Sequence, residues 1–235
     1  MKNIKALFVD CDGVLYDKNN LSYQDMAVVA FGRTIRQFNI SEKEVRQRHQ
    51  EQNEKGVHGL FNVALSFCNE RDISFREFAY KMAENTDYSR IPEDKEMLSL
   101  LQNLGEKMPV YIVTDNTWSH LLHILSRLNG SEIRDIFSPL NIMPITIENT
   151  LYDGAFHPKR VGNQLESLCV EIDQMPHDVL LLDDTSVVCE TAKSQGFQVV
   201  SIEGPEHTKK ILKGVLHEKS KRCVSVRETR GRTGR

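Results

Sequence analysis

Lys5-Ala6-Leu7-Phe8-Val9 is a short apolar run of the kind that forms a buried strand, and it ends in Asp10-Cys11-Asp12-Gly13. Two later runs end in the same polar way. Pro109-Val110-Tyr111-Ile112-Val113 closes in Thr114-Asp115-Asn116, and Val179-Leu180-Leu181-Leu182 closes in Asp183-Asp184. Between them lie segments with leucines at helical spacing, Leu98, Leu101 and Leu104 in one, Leu121, Leu122, Leu125 and Leu128 in another. Phe197 to Ile202 reads as a further strand. Apolar strands alternating with helices specify an α/β fold, a Rossmann-like doubly wound parallel sheet.

Successive strand residues face opposite sides, so Asp10 and Asp12 leave the first strand on one side and Cys11 on the other. Gly13 lets the chain turn sharply there without a Cβ penalty. Two carboxylates at one edge repel unless a cation or a shared proton lies between them. At the carboxyl end of a parallel strand, where such sheets bind ligands, the pair points to Mg²⁺ and phosphate.

From Leu21 to Asn85 the pattern changes to helices, about four of them, with no strand. Ser41 to Glu44 and Ser74 to Glu77 both fit the capping box. The expected division is a core of residues 1–17 and 90–216, a small all-helical segment of 18–89, and a basic, disordered tail of 217–235. Within the core, Pro92 is expected to open a helix and Ile133 to Pro139 to return to the sheet. Residues 139–157 read as a loop or flap, and Lys159 as the start of another helix.

With 30 basic and 33 acidic residues the net charge is −3, so nothing directs the chain to nucleic acid. The first apolar run is too short for a leader or a membrane span. Five cysteines, odd in number and without a C-x-x-C pair, fit reduced thiols and a cytoplasmic protein.

Taken together, D-C-D-G-V-L-Y, V-T-D-N, the lysine of H-P-K-R and L-L-L-D-D-T resemble the four ordered motifs of the haloacid dehalogenase-like (HAD) superfamily over residues 4 to about 202. The helical segment stands where that family carries a C1-type cap. The opening motif is similar to the pyrimidine 5′-nucleotidase and phosphoglucomutase-like branches. The resemblance implies that Asp10 is the nucleophile and Asp12 the general acid and base, with a proton held on Asp12 by the neighbouring Asp10 charge. It implies that Thr114 binds phosphoryl oxygens, with Asp115 and Asn116 beside it, and that Lys159 neutralises charge, with Arg160 able to share the anion. Mg²⁺ would be held by Asp10, Asp12 (through its carbonyl), Asp184 and, less directly, Asp183.

The implied activity is a Mg²⁺-dependent phosphomonoesterase acting through an aspartyl-phosphate on a small phosphorylated metabolite, a nucleoside monophosphate or sugar phosphate. The alternatives are a phosphotyrosine protein phosphatase, a phosphomutase and a non-catalytic binding module. Arg33, Arg36, His49, Lys55, His58 and Arg71 are the helical segment's candidates for substrate contact, with Gly56-Val57-His58-Gly59 as a substrate-facing loop. Trp118 is expected to pack on the core, with stacking on a base or aryl ring at the cleft rim as the alternative.

Overall fold

The structure, a computed structural model, describes residues 4–18, 21–54, 60–131, 142–146, 151–152, 155–156, 159 and 164–231. The strands are β1 (Ala6–Val9), β2 (Val110–Val113), β3 (Ile142–Ile145), β4 (Leu151–Tyr152), β5 (Ala155–Phe156), β6 (Val179–Asp183) and β7 (Gln198–Ser201). Five of them form one sheet in the order β3-β2-β1-β6-β7, every neighbour parallel, while β4 and β5 form a separate antiparallel ribbon. In this register Phe8 stands between Tyr111 and Leu181. After β1 the chain builds outward through β2 and β3, then crosses to β6 and β7 on the other side. The strand order therefore reverses at β1, and ligands bind such sheets at the carboxyl ends beside that reversal.

Between β1 and β2 run α1 (Leu21–Gln37), α2 (Glu42–Glu54), α3 (Leu60–Arg71) and α4 (Phe75–Asn85). Ser41 and Glu44 close the expected capping box at α2, the Ser41 hydroxyl accepting from Glu44 N and the Glu44 carboxylate accepting from Ser41 N at 2.8 Å. Ser74 caps α4 by accepting from Glu77 N. The four helices have an apolar cluster of their own, with Phe31, Ile35, Val63, Phe67 and Phe78 buried in it. Phe78 packs against Phe31 and Phe38, at centroid distances of 5.9 and 5.5 Å. Emptying such a position costs about 3–5 kcal/mol.

The sheet is covered on both faces by α5 (Lys95–Gly105), α6 (Trp118–Asn129), α7 (Gln164–Glu171), α8 (Ser186–Ser194) and α9 (Pro205–Gly231). Leu7, Val9, Val110, Ile112, Leu180 and Leu182 point to one side, into a cluster with the leucine stripes of α5 and α6 and with Leu212 and Val215 of α9. Ala6, Phe8, Tyr111, Val113, Val179 and Leu181 point to the other, against Leu165 and Leu168 of α7 and Val188 and Ala192 of α8. Strands buried on both faces must be apolar throughout, which is why these runs show no alternation. Each buried leucine or valine contributes roughly 1.5–3 kcal/mol. Trp118 packs against the first cluster, as expected.

Several boundaries differ from the sequence expectation. Asp94, not Pro92, starts α5: its carboxylate accepts from Met97 N at 3.0 Å, and proline lies two residues ahead of that cap. Residues Ile133 to Pro139 lie outside the described residues, and the strand entering the sheet is Ile142–Ile145, within the stretch expected to be loop. Its Pro144 hid it, yet proline is tolerated because β3 is an edge strand. Lys159 stands in a turn and α7 begins only at Gln164. The stretch expected as a disordered tail continues α9 as helix to Gly231. Its Lys, Arg and Glu residues are good helix formers and no proline interrupts them, while Lys219 Nζ donates to Ile4 O. Among the described residues no helix is long and apolar enough to cross a membrane.

Candidate active site

The carboxyl ends of β1, β2 and β6 bring Asp10, Thr114, Asp183 and Asp184 together. Asp10 N donates to Leu182 O at 2.9 Å, so the first aspartate still follows the β6 ladder. The chain then turns, Leu15 N donating to Cys11 O at 2.9 Å, with Gly13 at φ +84°. A Cβ at Gly13 would lie 2.1 Å from Asp184 Oδ2. Glycine is needed there twice over, for the left-handed backbone and for the carboxylate above it.

Lys159 is buried between two carboxylates. Its Nζ lies 2.6 Å from Asp10 Oδ1 and 2.8 Å from Asp183 Oδ2. Burial opposes the charge of Lys159, but the two carboxylates outweigh burial and hold it as an ammonium, well above the usual lysine range. Burial pushes the Asp10 carboxyl up, and the Asp183 and Asp12 charges add to it against the pull of Lys159. One ammonium therefore does not neutralise this cluster. Lys159 N donates to Asp115 Oδ1 at 3.1 Å, so Asp115 anchors the lysine's turn.

Carboxylate oxygens of Asp10, Asp183 and Asp184 lie within 4.8 Å of one another. An all-oxygen, acid-rich set with surplus negative charge suits Mg²⁺, and the residues present fit that ion. Lys18, from the loop after β1, reaches the same group, its Nζ 2.9 Å from Asp184 Oδ1 and 2.8 Å from Oδ2. Thr185 N donates to Asp183 Oδ1 at 2.9 Å and keeps that side chain turned inward.

Asp12 has a different neighbourhood. Its carboxylate accepts from Tyr16 Oη, from His120 Nε2 at 3.0 Å, from Asn116 Nδ2 at 2.7 Å and, weakly, from Thr114 Oγ1 at 3.5 Å. Burial raises this carboxyl, but the charge and hydrogen bond of His120, with the bonds from Tyr16 and Asn116, outweigh burial and hold it far below the usual range. The expectation that Asp10 would keep Asp12 protonated is corrected: donors, not the neighbouring charge, dominate. Cys11 is buried in the same cluster as Val9, away from Asp10. Its Sγ still lies within 4.8 Å of an Asp12 oxygen and a His120 nitrogen, because strand alternation stops at Val9 and Asp12 stands in the turn. Burial pushes the Cys11 thiol up, which fits a core residue and not a nucleophile.

His120, Tyr16 and Lys18 were not anticipated as site residues. His120 was legible in part. Thr117 caps α6, accepting from His120 N at 3.1 Å, and the first turn of a helix that follows β2 lies beside the strand ends. Among the helical segment's candidates, Arg36 pairs with Glu42 at 2.8 Å and Arg71 pairs with Glu44 and donates to Asn39 O, so both serve that segment's own packing. Arg33 is exposed. Lys55, the 56–59 loop with His58, and His157, Pro158 and Arg160 lie outside the described residues.

No protein-family model and no curated protein sequence matches the chain. Solved structures do. A haloacid dehalogenase-like family hydrolase from Streptococcus pneumoniae is 18% identical, with 90% of this chain and 92% of that one covered at a TM-score of 0.51. CbbY from Rhodobacter sphaeroides, in complex with xylulose-(1,5)bisphosphate, is 14% identical over 84% and 85%, at 0.54. The HAD-hydrolase YfnB from Bacillus subtilis, bound to magnesium, is 16% identical over 90% and 99%, at 0.51. Overlap of this extent at such low identity is a likeness of fold: the chain has the haloacid dehalogenase-like fold.

Proposed function

We propose that the protein is a Mg²⁺-dependent phosphomonoesterase that works through an aspartyl-phosphate on a small phosphorylated metabolite. The observation that carries this reading is the Lys159 ammonium bound to Asp10 inside a buried cluster that still has excess carboxylate. With Lys159 on Asp10 and Asp183 and Lys18 on Asp184, three carboxylates still face two ammoniums, and a divalent cation would offset the remainder and attract an anionic ester. CbbY holds a sugar bisphosphate and YfnB holds magnesium in this same fold, which supports both halves of the reading.

Asp10, Asp184 and the carbonyl of Asp12 would hold the ion, with Asp183 behind them. When bound, Mg²⁺ offsets negative charge on the phosphoryl group and on the carboxylates around it. Asp10 attacks phosphorus, forming an acyl-phosphate bond as the ester P–O bond breaks. The leaving oxygen takes a proton from Asp12. Asp12 takes that proton from solvent as the phosphoryl group enters, because an added negative charge nearby raises its carboxyl from the depressed resting position. Water then attacks the phosphoryl group, Asp12 takes its proton back, and Asp10 is released as carboxylate. Lys159 stays on Asp10 and offsets charge at the transferring group, while Thr114, donating from the β2 tip, and Asn116 border its oxygens. The helical segment of 18–89 would act as the cap that closes over this edge and selects the substrate.

The test is hydrolysis of p-nitrophenyl phosphate with and without Mg²⁺, beside Asp10→Asn. Turnover that needs the metal and disappears in Asp10→Asn is expected. Undiminished turnover in Asp10→Asn would refute the assignment.

A further inference from the structure

Asp12 is the end of a buried chain of side chains that the phosphatase reading does not use. His120 bridges two partners with its two ring nitrogens: Nε2 is 3.0 Å from Asp12 Oδ1, and Nδ1 is 2.9 Å from Tyr88 Oη. A carboxylate only accepts, so Nε2 carries the hydrogen, and Nδ1 shares the second bond with the Tyr88 hydroxyl. Tyr88 meets the His120 ring edge-on at 5.4 Å and stacks on His123 at 4.7 Å, with 15° between planes.

Tyr88 belongs to a short 3₁₀ turn, Tyr88–Arg90, at the point where the chain returns from α4 towards α5. That turn is fastened to α6 at a second place, two helical turns further along the same face. Arg127 donates to Ser89 O at 2.9 Å and to Ile91 O at 3.2 Å. Asp87 caps the turn by accepting from Ser89 N at 3.0 Å. Two side chains of α6 thus grip the turn, and one of them also grips Asp12. His120 and Tyr88 are both buried, so neither bond is exchanged readily for water.

We infer that His120 is a positioning residue for the proton-transfer step, aiming the Asp12 carboxyl at the leaving oxygen while Tyr88 fixes the ring from behind. The inference rests on the phosphatase reading, and on Asp12 as its acid. Without His120 the Asp12 carboxyl keeps Tyr16 and Asn116 but loses the bond that sets its aim, and a misaimed proton donor matters only where one is needed, on esters with poor leaving groups.

The experiment compares p-nitrophenyl phosphate, whose leaving group needs little protonation, with phenyl phosphate, which needs more. The quantity read is kcat/KM, because it stops at transfer to Asp10 and is blind to the later attack of water. For His120→Leu, kcat/KM on phenyl phosphate is expected to fall about 30- to 100-fold, within the range of general acid catalysis. On p-nitrophenyl phosphate the fall is expected to stay within about threefold, the size of a side-chain repacking effect on rate. His120→Gln returns an amide donor close to Nε2 and is expected to recover phenyl phosphate turnover to within about fivefold of wild type, about one hydrogen bond's worth. Tyr88→Phe keeps the ring and removes only the hydroxyl, so it is expected to show the same bias at about fivefold. The Gln and Phe variants decide the matter if the leucine variant fails to fold. Equal losses on both esters, or no loss on phenyl phosphate, would overturn the inference and leave the phosphatase standing. No metal-dependent turnover of either ester by the wild type would overturn the phosphatase, and this inference with it.

Discussion

Replacing Gly13 with alanine separates two costs that the structure assigns to one position. The first is backbone. At φ +84° an L-residue loses roughly 1–2 kcal/mol. The second is collision, since the new methyl would sit 2.1 Å from Asp184 Oδ2 and 2.7 Å from its Cγ. The carboxylate must retreat by most of an ångström merely to reach 3.0 Å, and the new methyl would also press on Lys18 Cε, 3.0 Å from it. Gly196 supplies the control. It has φ +90°, and an added methyl there would meet nothing within 4 Å, so Gly196→Ala carries the backbone cost alone. For a chain of this size Gly196→Ala should lower Tm by about 2–8 °C, at 2–4 °C per kcal/mol. Gly13→Ala should lower it further and should also lose the rise in Tm that Mg²⁺ gives the wild type, because Asp184 is displaced from the metal. Gly214→Ala, helical and unobstructed, should gain about 0.5–1 kcal/mol. The assay is thermal unfolding by circular dichroism with and without Mg²⁺. If Gly13→Ala matches Gly196→Ala and keeps the Mg²⁺ response, the close approach of Gly13 and Asp184 is wrong.

Lys159→Met leaves Asp10 and Asp183 facing each other without their shared ammonium, and should cost about 3–5 kcal/mol in urea unfolding without metal. Saturating Mg²⁺ should return part of that, and an unchanged midpoint would contradict the buried pairing. Lys18→Gln frees Asp184 from a competing cation, so calorimetric Mg²⁺ affinity should rise about three- to tenfold, up to roughly 1.4 kcal/mol. A weaker affinity would mean that Lys18 assists the metal. Burial pushes the thiols of Cys68 and Cys169 up, to about 11 and about 12, so iodoacetamide at pH 8 should leave both unlabelled until the protein is unfolded. The same shifts set a sign. Above the ordinary thiol value, about 8.5, the unfolded chain releases protons that the folded one keeps, so stability should decline from about pH 9 upward, as urea midpoints would show.

The carboxylates, Thr114 and Lys159 were legible because each ends an apolar run or stands at the right interval, and strand ends converge in a parallel sheet whatever the loops do. What escaped was set by contacts remote in sequence. Nothing near His120 announces Tyr88 or Asp12, 32 and 108 residues away. The ionisation of Asp12 was misjudged for the same reason. Counting charges along the chain sees Asp10 two residues away but not the donors that α6 and the β2 tip bring to it. Pro144 disguised an edge strand, where the missing N–H costs nothing. The basic run after His217 lacks an apolar stripe, and its helix is a continuation of the better packed residues before it.

Thr208, near the start of α9, donates from its hydroxyl to Val14 O at 2.9 Å, inside the turn that carries Asp12 and Gly13. β1 in turn is hydrogen-bonded to β6, whose first residue is Val179. Asp10 and Asp12 are thus held by partners that lie about 170 and 200 residues further along the chain. Without β6 and α9 the aspartates of the first turn have neither their second flanking strand nor the hydroxyl that closes the turn. A chain cut ahead of β6 would keep Asp10 and Asp12 but lose both, so the first turn should not hold its shape without the later half of the fold.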